Sequence, residues 1–232
     1  MVRRHVNTTK LEIVQKATRM FLQQGYSTTS IKAIAESLNI STGHLTFYFP
    51  TKEHLLAELV DMLCDFQWAQ ARRYLDDGES LLMAVCLELT AVTAICEENK
   101  VAKDFYIAAY THPMTLEIIR KNDAKRAQMV FGEYCKDWAK QQYSEAETLV
   151  SGIEYATLMT TADSAPINVR IAGALNNILC IYGVPEELRE KSISQALSKD
   201  FIAIGNQMLE QFIAFIEETN EQAFEELLRK IY

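Results

Sequence analysis

One short polar segment, residues 41–48, carries the side chains best suited to recognising another molecule. It runs Ser-Thr-Gly-His-Leu-Thr-Phe-Tyr, which places hydroxyl groups, an imidazole and two aromatic rings within eight positions. Hydroxyl and imidazole groups can bond the N7 and O6 atoms of purines, and threonine methyl or phenylalanine can contact the methyl group of thymine. Glycine lets a backbone approach its ligand closely. The segment therefore predicts contacts to DNA base edges, and the candidate residues are Thr42, Gly43, His44, Thr46 and Phe47.

Five further residues near this segment are candidates for phosphate contacts. Lys32, Tyr48 and Lys52 offer donors on side chains, whereas Thr29 and Ser41 stand where helix-capping residues leave backbone amides open to an anion. For each single residue, the alternative is an ordinary solvated side chain. The imidazole of His44 has no second metal ligand three or four positions away, so the sequence predicts no metal site.

Capping and turn signals place the segment on the third helix of a small head. A capping box, Thr9 with Glu12, predicts a first helix over about 10–24, and Gly25 would close it. Thr29 is predicted to cap the second helix, and Asn39 stands where the turn needs positive φ. Ser41 would cap the third helix, over about 42–48, and Pro50 would end it. A short helix, a tight turn and a second short helix form the unit that enters the DNA major groove.

The rest of the chain predicts an all-α architecture with no strand alternation. A fourth helix over about 52–75 would join a head of residues 1–56 to a helical body of residues 57–232, with Asp76-Asp77-Gly78 ending it. Further helices are predicted at about 79–98, 101–112, 114–142, 145–162, 166–183, 187–217 and 221–231. Ser144 with Glu147 is interpreted as a second capping box.

Charge is distributed unevenly between these parts. The chain has a net charge of −8, but residues 1–52 hold seven Lys and Arg against two acids, a net +5. The remainder holds 16 basic and 29 acidic residues, a net −13. Exposed fields are screened within about 8–10 Å, so the basic head can attract phosphate despite the acidic total. A chance fluctuation of charge is the alternative.

Cysteine usage and hydropathy indicate a cytoplasmic protein. The five cysteines, Cys64, Cys86, Cys96, Cys135 and Cys180, form no C-x-x-C pair and lie in apolar helical contexts. We expect neither a disulfide framework nor a zinc site, with redox sensing as the less favoured alternative. The amino terminus lacks the apolar core of a secretory signal, and the longest apolar tract, 81–96, is too short to span a bilayer.

The head resembles the tetracycline-repressor-like (TetR/AcrR) family of bacterial regulators. The resemblance covers about residues 9–56 and is carried by Ile13-x3-Ala17-x3-Phe21-x3-Gly25-Tyr26, Thr29-x-Ile31-x2-Ile34-Ala35 and Ile40-Ser41-x-Gly43-x-Leu45-x2-Tyr48-Phe49-x2-Lys52-Glu53-x-Leu55. Two positions depart from the family pattern. Thr46 stands where tyrosine is common, so it keeps a hydroxyl but loses reach, and that work passes to Phe47 and Tyr48. Asn39 replaces a frequent glycine, which the turn tolerates.

The resemblance implies a homodimeric transcriptional regulator, expected to be a repressor, that a small effector releases from a palindromic operator. No cofactor is expected, and the effector would be small and partly apolar. Residues expected to line its pocket are Phe66, Cys86, Tyr106, Tyr110, Phe131, Tyr134, Tyr155, Met159 and Asn177. Two apolar stripes are the candidates for the dimer interface: Ile171, Leu175 and Ile178, then Ile204, Met208 and Phe212. Both sets have the same alternative, which is burial in the protomer's own core.

Two other function classes compete with the regulator. An all-helical enzyme is disfavoured because no HExxH, G-x-S-x-G, P-loop or GxGxxG motif is present. A protein-binding adaptor whose head no longer binds DNA is disfavoured by the capping signals, the basic head and Gly43. A DNA scan that returns one palindromic motif would separate the regulator from both. For a regulator, we expect the fourth helix to act as the lever between effector and DNA.

Overall fold

The computed structural model describes residues 2–75, 77, 79–220 and 222–224, and the side chains of 2–9 lie outside that description. The described residues form eleven α-helices and no strand, which confirms the all-α prediction. The helices are α1 Val2–Gln24, α2 Ile31–Ser37, α3 Thr42–Tyr48, α4 Lys52–Arg73, α5 Leu81–Glu98, α6 Lys100–Thr111, α7 Pro113–Phe131, α8 Lys140–Leu158, α9 Ile167–Ile181, α10 Glu186–Ser198 and α11 Phe201–Glu218.

Helices α1, α2 and α3 form the head around a closed apolar core. Ile13, Phe21, Ile34 and Leu45 are fully buried there, because each lies on the inward stripe of its helix. Local backbone signals work as predicted: Asn39 has φ 56° and Gly25 has φ 103°, and each turns the chain between helices. The third helix has the predicted bounds, so the candidate base-contacting segment lies on a helix as a whole.

Two predicted helix starts in the head were wrong. The first helix begins at Val2, so Thr9 lies inside it rather than at a cap. The second helix is capped by Ser30, whose hydroxyl accepts a hydrogen bond from the Ala33 amide at 3.1 Å. Thr29 is instead buried and donates its hydroxyl to the Gly25 carbonyl at 2.7 Å. Neighbouring hydroxyls at 28–30 made the capping residue ambiguous in the sequence.

Two predicted long helices of the body are each broken into separate segments. The 114–142 prediction ends at Phe131 and resumes as α8 at Lys140, where the Gln142 side chain accepts from the Ala139 amide. Ser144 therefore lies within α8 and does not cap it. The 187–217 prediction splits at Lys199, and Asp200 caps α11 by accepting from Ala203. Neither break contains proline, although Gly132 directly follows α7 and is a signal for the first break. Asp76, Gly78 and most of the predicted 221–231 helix lie outside the described residues.

The closest helix packing in the body occurs where α11 crosses α5 at Gly205. A Cβ atom built at Gly205 would lie 2.7 Å from the Ala91 carbonyl oxygen and 3.1 Å from Ile95 Cγ1. Glycine therefore lets two helix backbones meet directly. Helix α5 is buried on nearly all sides, so it has little room to move away.

We expect Gly205→Val to destabilise the protein by about 1–3 kcal/mol, because overpacking a dense core costs that much. For a chain of this size, the thermal midpoint should fall by roughly 2–12 °C. Ala214→Val, at an exposed position of the same helix, is the matched control and should move the midpoint far less. The measurement is thermal unfolding followed by circular dichroism. Equal midpoints for the two variants would contradict the assigned close packing.

Candidate nucleic-acid interface and ligand cavity

Helix α3 presents one polar and aromatic face to solvent. Thr42, Gly43 and His44 are exposed. Phe47 is 77% exposed, the largest exposed fraction of any large hydrophobic residue in the described part of the chain. The opposite face is anchored by Leu45 and Phe49, which are buried. The arrangement can place base-contacting groups on the outside of a rigid helix.

The ends and the side of α3 are held by local hydrogen bonds. The Ser41 hydroxyl accepts from the His44 amide at 3.1 Å, which is the predicted cap. The Thr46 hydroxyl donates to the Gly43 carbonyl at 3.2 Å, and the residue is half-buried. The Tyr48 ring lies against both neighbours, with centroids 5.6 Å from His44 and 5.2 Å from Phe47. Tyr48 therefore orients the two rings that can contact bases.

The candidate phosphate residues do not share one environment. Lys32 is largely exposed and forms only a long ion pair, 3.7 Å, with Glu36 on the same helix. Ser41 is exposed and Tyr48 is half-buried. Thr29 is buried in the head, does not cap α2, and its amide donates to the Tyr26 carbonyl at 3.1 Å, so neither its side chain nor this amide is available to a phosphate group. Its assignment as a phosphate contact is accordingly withdrawn.

Lys52 is engaged inside the protein. Its ammonium donates to the Tyr26 carbonyl at 2.9 Å and to the Thr29 carbonyl at 3.0 Å, and it lies 4.0 Å from the Tyr26 ring centroid. Burial lowers the pKa of this ammonium. Two of its three donors are thus used to tie the start of α4 to the loop between α1 and α2. Lys52 holds the head together, and a phosphate contact would use only the remaining donor.

The loop between α1 and α2 also touches the body through α6. Asp104 on α6 accepts a 2.7 Å hydrogen bond from the Ser27 amide and a second bond from the Ser27 hydroxyl. At the other end of α6, the His112 ring lies 5.6 Å from the Tyr26 ring. Nothing local in the sequence indicates this contact, since Asp104 carries no motif and its partner is 77 positions away.

The body encloses a cavity of about 90 Å³ between the middle of α4 and helices α5 to α9. That volume holds several water molecules, since one water needs roughly 10–15 Å³ on this measure. Three of the nine predicted pocket residues line it, namely Tyr106, Tyr110 and Phe131. Trp68 and Tyr182 add two more aromatic walls.

The other six predicted pocket residues lie elsewhere. Phe66 packs on Phe212 and Phe215, and Cys86 is buried in the core on the α9 side of the body. Tyr134, Tyr155, Met159 and Asn177 are not part of the cavity wall, and Met159 and Asn177 face solvent. Aromatic and methionine residues occur throughout a helical core, so composition alone did not distinguish a cavity wall from ordinary packing.

A buried ion cluster forms one wall of the cavity. The Arg126 guanidinium lies 3.3 Å from Glu88 and 3.1 Å from Asp123, and it donates to the Cys64 carbonyl. The Trp68 ring covers it at 5.6 Å. Arg126 is thus already neutralised by two carboxylates. Burial nevertheless raises the pKa of Glu88 to about 7.

Two more carboxyl groups that line the cavity, those of Glu147 and Glu154, lie on α8. The Tyr182 hydroxyl donates to Glu147 Oε1, and the Tyr110 hydroxyl donates to Glu154 Oε2 at 3.1 Å. Burial raises the pKa of Glu147 to about 8, and burial together with nearby Asp123 and Glu147 raises the pKa of Glu154. Glu147 Oε2 has no hydrogen-bond partner among the described residues.

These raised pKa values predict that the protein loses stability as pH rises. Unfolded Glu147 has a pKa near 4.5 and folded Glu147 near 8, so between these values the folded chain holds a proton that the unfolded chain releases. The free energy of unfolding should fall by up to about 1.4 kcal/mol per pH unit for this group.

The measurement is the thermal midpoint between pH 5 and pH 8 for wild type, Glu147→Gln and the matched control Glu145→Gln. Glu145 is exposed on the same helix. We expect Glu147→Gln to flatten the pH dependence and Glu145→Gln to leave it unchanged, with Glu88, Asp123 and Glu154 supplying the remaining slope. An unchanged slope in Glu147→Gln would contradict the prediction.

Both predicted dimer stripes face the protomer's own core. Ile171, Leu175 and Ile178 are at most 2% exposed, as are Met208 and Phe212, and Ile204 is half-buried. These side chains are covered within a single chain. They therefore belong to the protomer's own core, and the prediction that they form the dimer interface is corrected. An amphipathic stripe identifies a buried face, but it does not identify what covers that face.

A different surface of the body is apolar and open. It consists of Thr148, Leu149, Gly152 and Ala156 on α8, Met159 directly after that helix, and Val169, Gly173, Asn176, Asn177 and Cys180 on α9, all exposed. Leu149 is 61% exposed, Met159 47% and Val169 54%. None of the ten residues is charged, although 23% of the chain is. We call these ten residues the α8–α9 face. It has the composition of a contact surface rather than of a solvated one.

A family model described as bacterial regulatory proteins, tetR family, matches residues 13–59. Among curated proteins, the uncharacterized HTH-type transcriptional regulator YuxN of Bacillus subtilis is 29% identical over 46% of this chain and 36% of its own length. The HTH-type transcriptional repressor KstR2 of Mycobacterium tuberculosis is 31% identical over 31% of this chain and 36% of its own length. The chain thus spans about a third of the length of these two relatives. Their names are those of regulators, in keeping with the prediction that this chain is not an enzyme.

The similarity in fold extends over most of the body. The crystal structure of RolR without ligand aligns with a TM-score of 0.57 at 20% identity, covering 79% of this chain and 95% of that one. A three-helix head on a larger helical body is therefore shared with a solved structure. Within the described part of the chain, no helix is long and apolar enough to cross a membrane.

Proposed function

We propose that this chain is a homodimeric repressor of the tetR family of bacterial regulatory proteins, whose family model matches its amino-terminal head, and that a small effector releases it from a palindromic operator. In this proposal residues 1–56 bind DNA and residues 57–232 bind effector and partner subunit, in the cytoplasm and without a cofactor. The observation that carries it is the exposed α3 face, where Thr42, Gly43, His44 and Phe47 stand clear of the head on a capped helix.

The DNA contacts divide by chemistry. Thr42, Gly43, His44, Thr46 and Phe47 are proposed to contact bases, and Lys32, Ser41 and Tyr48 to contact phosphates. Lys52 acts first by holding the loop before α2 through two carbonyls and adds a phosphate contact with its third donor. A single short helix contacts too few base pairs for selective binding, so two heads must act together.

The α8–α9 face is proposed as the surface that pairs two copies. Its exposed Leu149, Met159 and Val169 supply apolar area, and Gly152 and Gly173 have open space around them, so helices of a second copy can approach closely. A second copy is the fitting occupant because a two-fold axis would bring like faces together and no charge on either would be stranded.

Helix α6 is proposed to share the lever function with α4. It carries Tyr106 and Tyr110 in the cavity wall and Asp104 against the loop between α1 and α2. A ligand that moves α6 therefore acts on the head without passing along α4. An effector can shift the equilibrium only if it binds the DNA-free arrangement more tightly.

The test is selection of bound sequences from a random double-stranded DNA pool by the purified full-length protein. We expect one palindromic motif whose half-site centres lie about 34–36 Å apart. Binding to that motif should weaken with salt, with a slope near −0.9 for each phosphate contacted. Recovery of no motif, or binding indifferent to salt, would overturn the proposal.

A further inference from the structure

We propose that the effector of the cavity is a small organic cation, a protonated or quaternary amine on an aromatic or branched apolar body. The inference rests on the proposed function, because it assigns a chemical class to the same effector site. Among the described residues, four carboxyl groups line the cavity, those of Glu88, Asp123, Glu147 and Glu154, against one lining cation, Arg126. Burial raises the pKa values of these carboxyl groups, and an occupant that adds positive charge favours their ionised form, so it is the one that balances this wall.

The Arg126 guanidinium is not available to an anionic ligand. Arg126 is bound to Glu88 and Asp123 through one nitrogen and to the Cys64 carbonyl through another, and Trp68 covers the guanidinium. A carboxylate or phosphate ligand would have to displace those partners and would add negative charge beside four acids. Breaking a buried, hydrogen-bonded ion cluster is costly.

The carboxyl groups of Glu147 and Glu154 on α8 have room for further hydrogen-bond donors. Glu147 lines the cavity and is 3% exposed; its Oε1 accepts from the Tyr182 hydroxyl, and its buried Oε2 has no hydrogen-bond partner among the described residues. Glu154 accepts one hydrogen bond, from the Tyr110 hydroxyl, among the described residues. A buried carboxyl oxygen with no partner is uncommon, and an ammonium group would supply a donor to it as the carboxyl group releases its proton.

The charged and titratable groups around Glu147 and Glu154 come from several neighbouring helices. Asp123 and Arg126 lie on α7, Glu88 on α5 and Tyr110 on α6, with Tyr182 just after α9. Arg120 on α7 is close enough to influence Glu147 but donates to the Ser151 hydroxyl instead. No group of three or more potential ligands is arranged to hold a metal ion in the described residues, which favours an organic cation.

The rest of the wall suits the body of such a ligand. Rings of Trp68, Tyr106, Tyr110, Phe131 and Tyr182 line the cavity together with aliphatic residues. Aromatic faces attract a cation as well as apolar groups. The cavity volume of about 90 Å³ favours a body of roughly one ring.

The test compares three ligands that share a body and differ in charge: 2-phenylethylamine, 2-phenylethanol and phenylacetate at pH 7. Binding to the full-length protein is measured by calorimetry, alongside affinity for its selected operator. We expect the amine to bind at least tenfold more tightly than the alcohol, and phenylacetate to bind most weakly. Glu147→Gln and Glu154→Gln should each lower amine affinity about tenfold and leave alcohol affinity within threefold. Glu145→Gln, exposed on the same helix, should change neither.

Several results would overturn the inference. Phenylacetate binding best, amine and alcohol binding equally, or no member of the series binding at millimolar concentration would each do so. A tenfold loss of amine affinity in Glu145→Gln would also contradict it. If Glu147→Gln fails to fold, Glu154→Gln carries the comparison. Intact operator binding with no preference for the amine refutes the effector class alone, whereas absent operator binding refutes the proposed regulator.

Discussion

A double variant, Leu149→Arg with Val169→Arg, is expected to be monomeric and to bind the palindromic operator at least about a hundredfold more weakly than wild type. Both side chains are more than half exposed in the single chain, so arginine at either position costs the fold little. On the α8–α9 face of a dimer, the same change would place four unpaired charges in an apolar contact. Losing the partner subunit removes the second head, which in the dimer binds its own half-site at an effective concentration in the millimolar range.

Sedimentation velocity gives the oligomeric state, and fluorescence anisotropy with operator and half-site DNA gives the affinities. Ile202→Arg is the control, because Ile202 is an exposed hydrophobic residue on α11, outside the α8–α9 face. It should remain dimeric. A double variant that stays dimeric would remove the α8–α9 face as the interface, and a monomeric Ile202→Arg would move the interface to α11.

Replacing Phe47 with alanine is expected to lower operator affinity by about a hundredfold or more while leaving stability unchanged. The ring is 77% exposed in the free protein, so its removal leaves no internal cavity. Burying a phenylalanine side chain contributes about 1.5–3 kcal/mol, and a dimer would lose two such contacts. His44→Ala should instead change the preferred base at one position of each half-site. Lys32→Ala should weaken binding to all sequences and reduce the salt slope.

These three variants separate base contact from phosphate contact on the same head. Affinity is measured by anisotropy on the selected motif and on its single-base variants, at several salt concentrations. Met114→Ala removes an exposed hydrophobic side chain from α7 rather than from α3 and should change affinity less than twofold. Wild-type affinity in Phe47→Ala would show that the exposed ring does not contact DNA. Equal loss on every single-base variant for His44→Ala would remove its base-reading role.

Local chemistry in the sequence determined the form of the head. Ser41 caps α3 through an amide three residues away, Asn39 takes positive φ, and Leu45 and Phe49 turn inward. Each of these outcomes depends on residues within about one helical turn, so it can be predicted from spacing and residue type. The exposed set on α3 follows directly, because fixing its buried face also fixes the opposite one.

Tertiary structure decided the roles of residues whose partners are distant in the chain. Lys52 is held by carbonyls 23 and 26 positions away, and Glu147, predicted as part of a cap, meets the Tyr182 hydroxyl 35 positions on. An amphipathic stripe on a body helix identifies a buried face, but core, cavity and partner subunit all demand the same apolar residues. Only the packed structure shows that Ile171 and Met208 face inward, while Leu149 and Val169 remain uncovered.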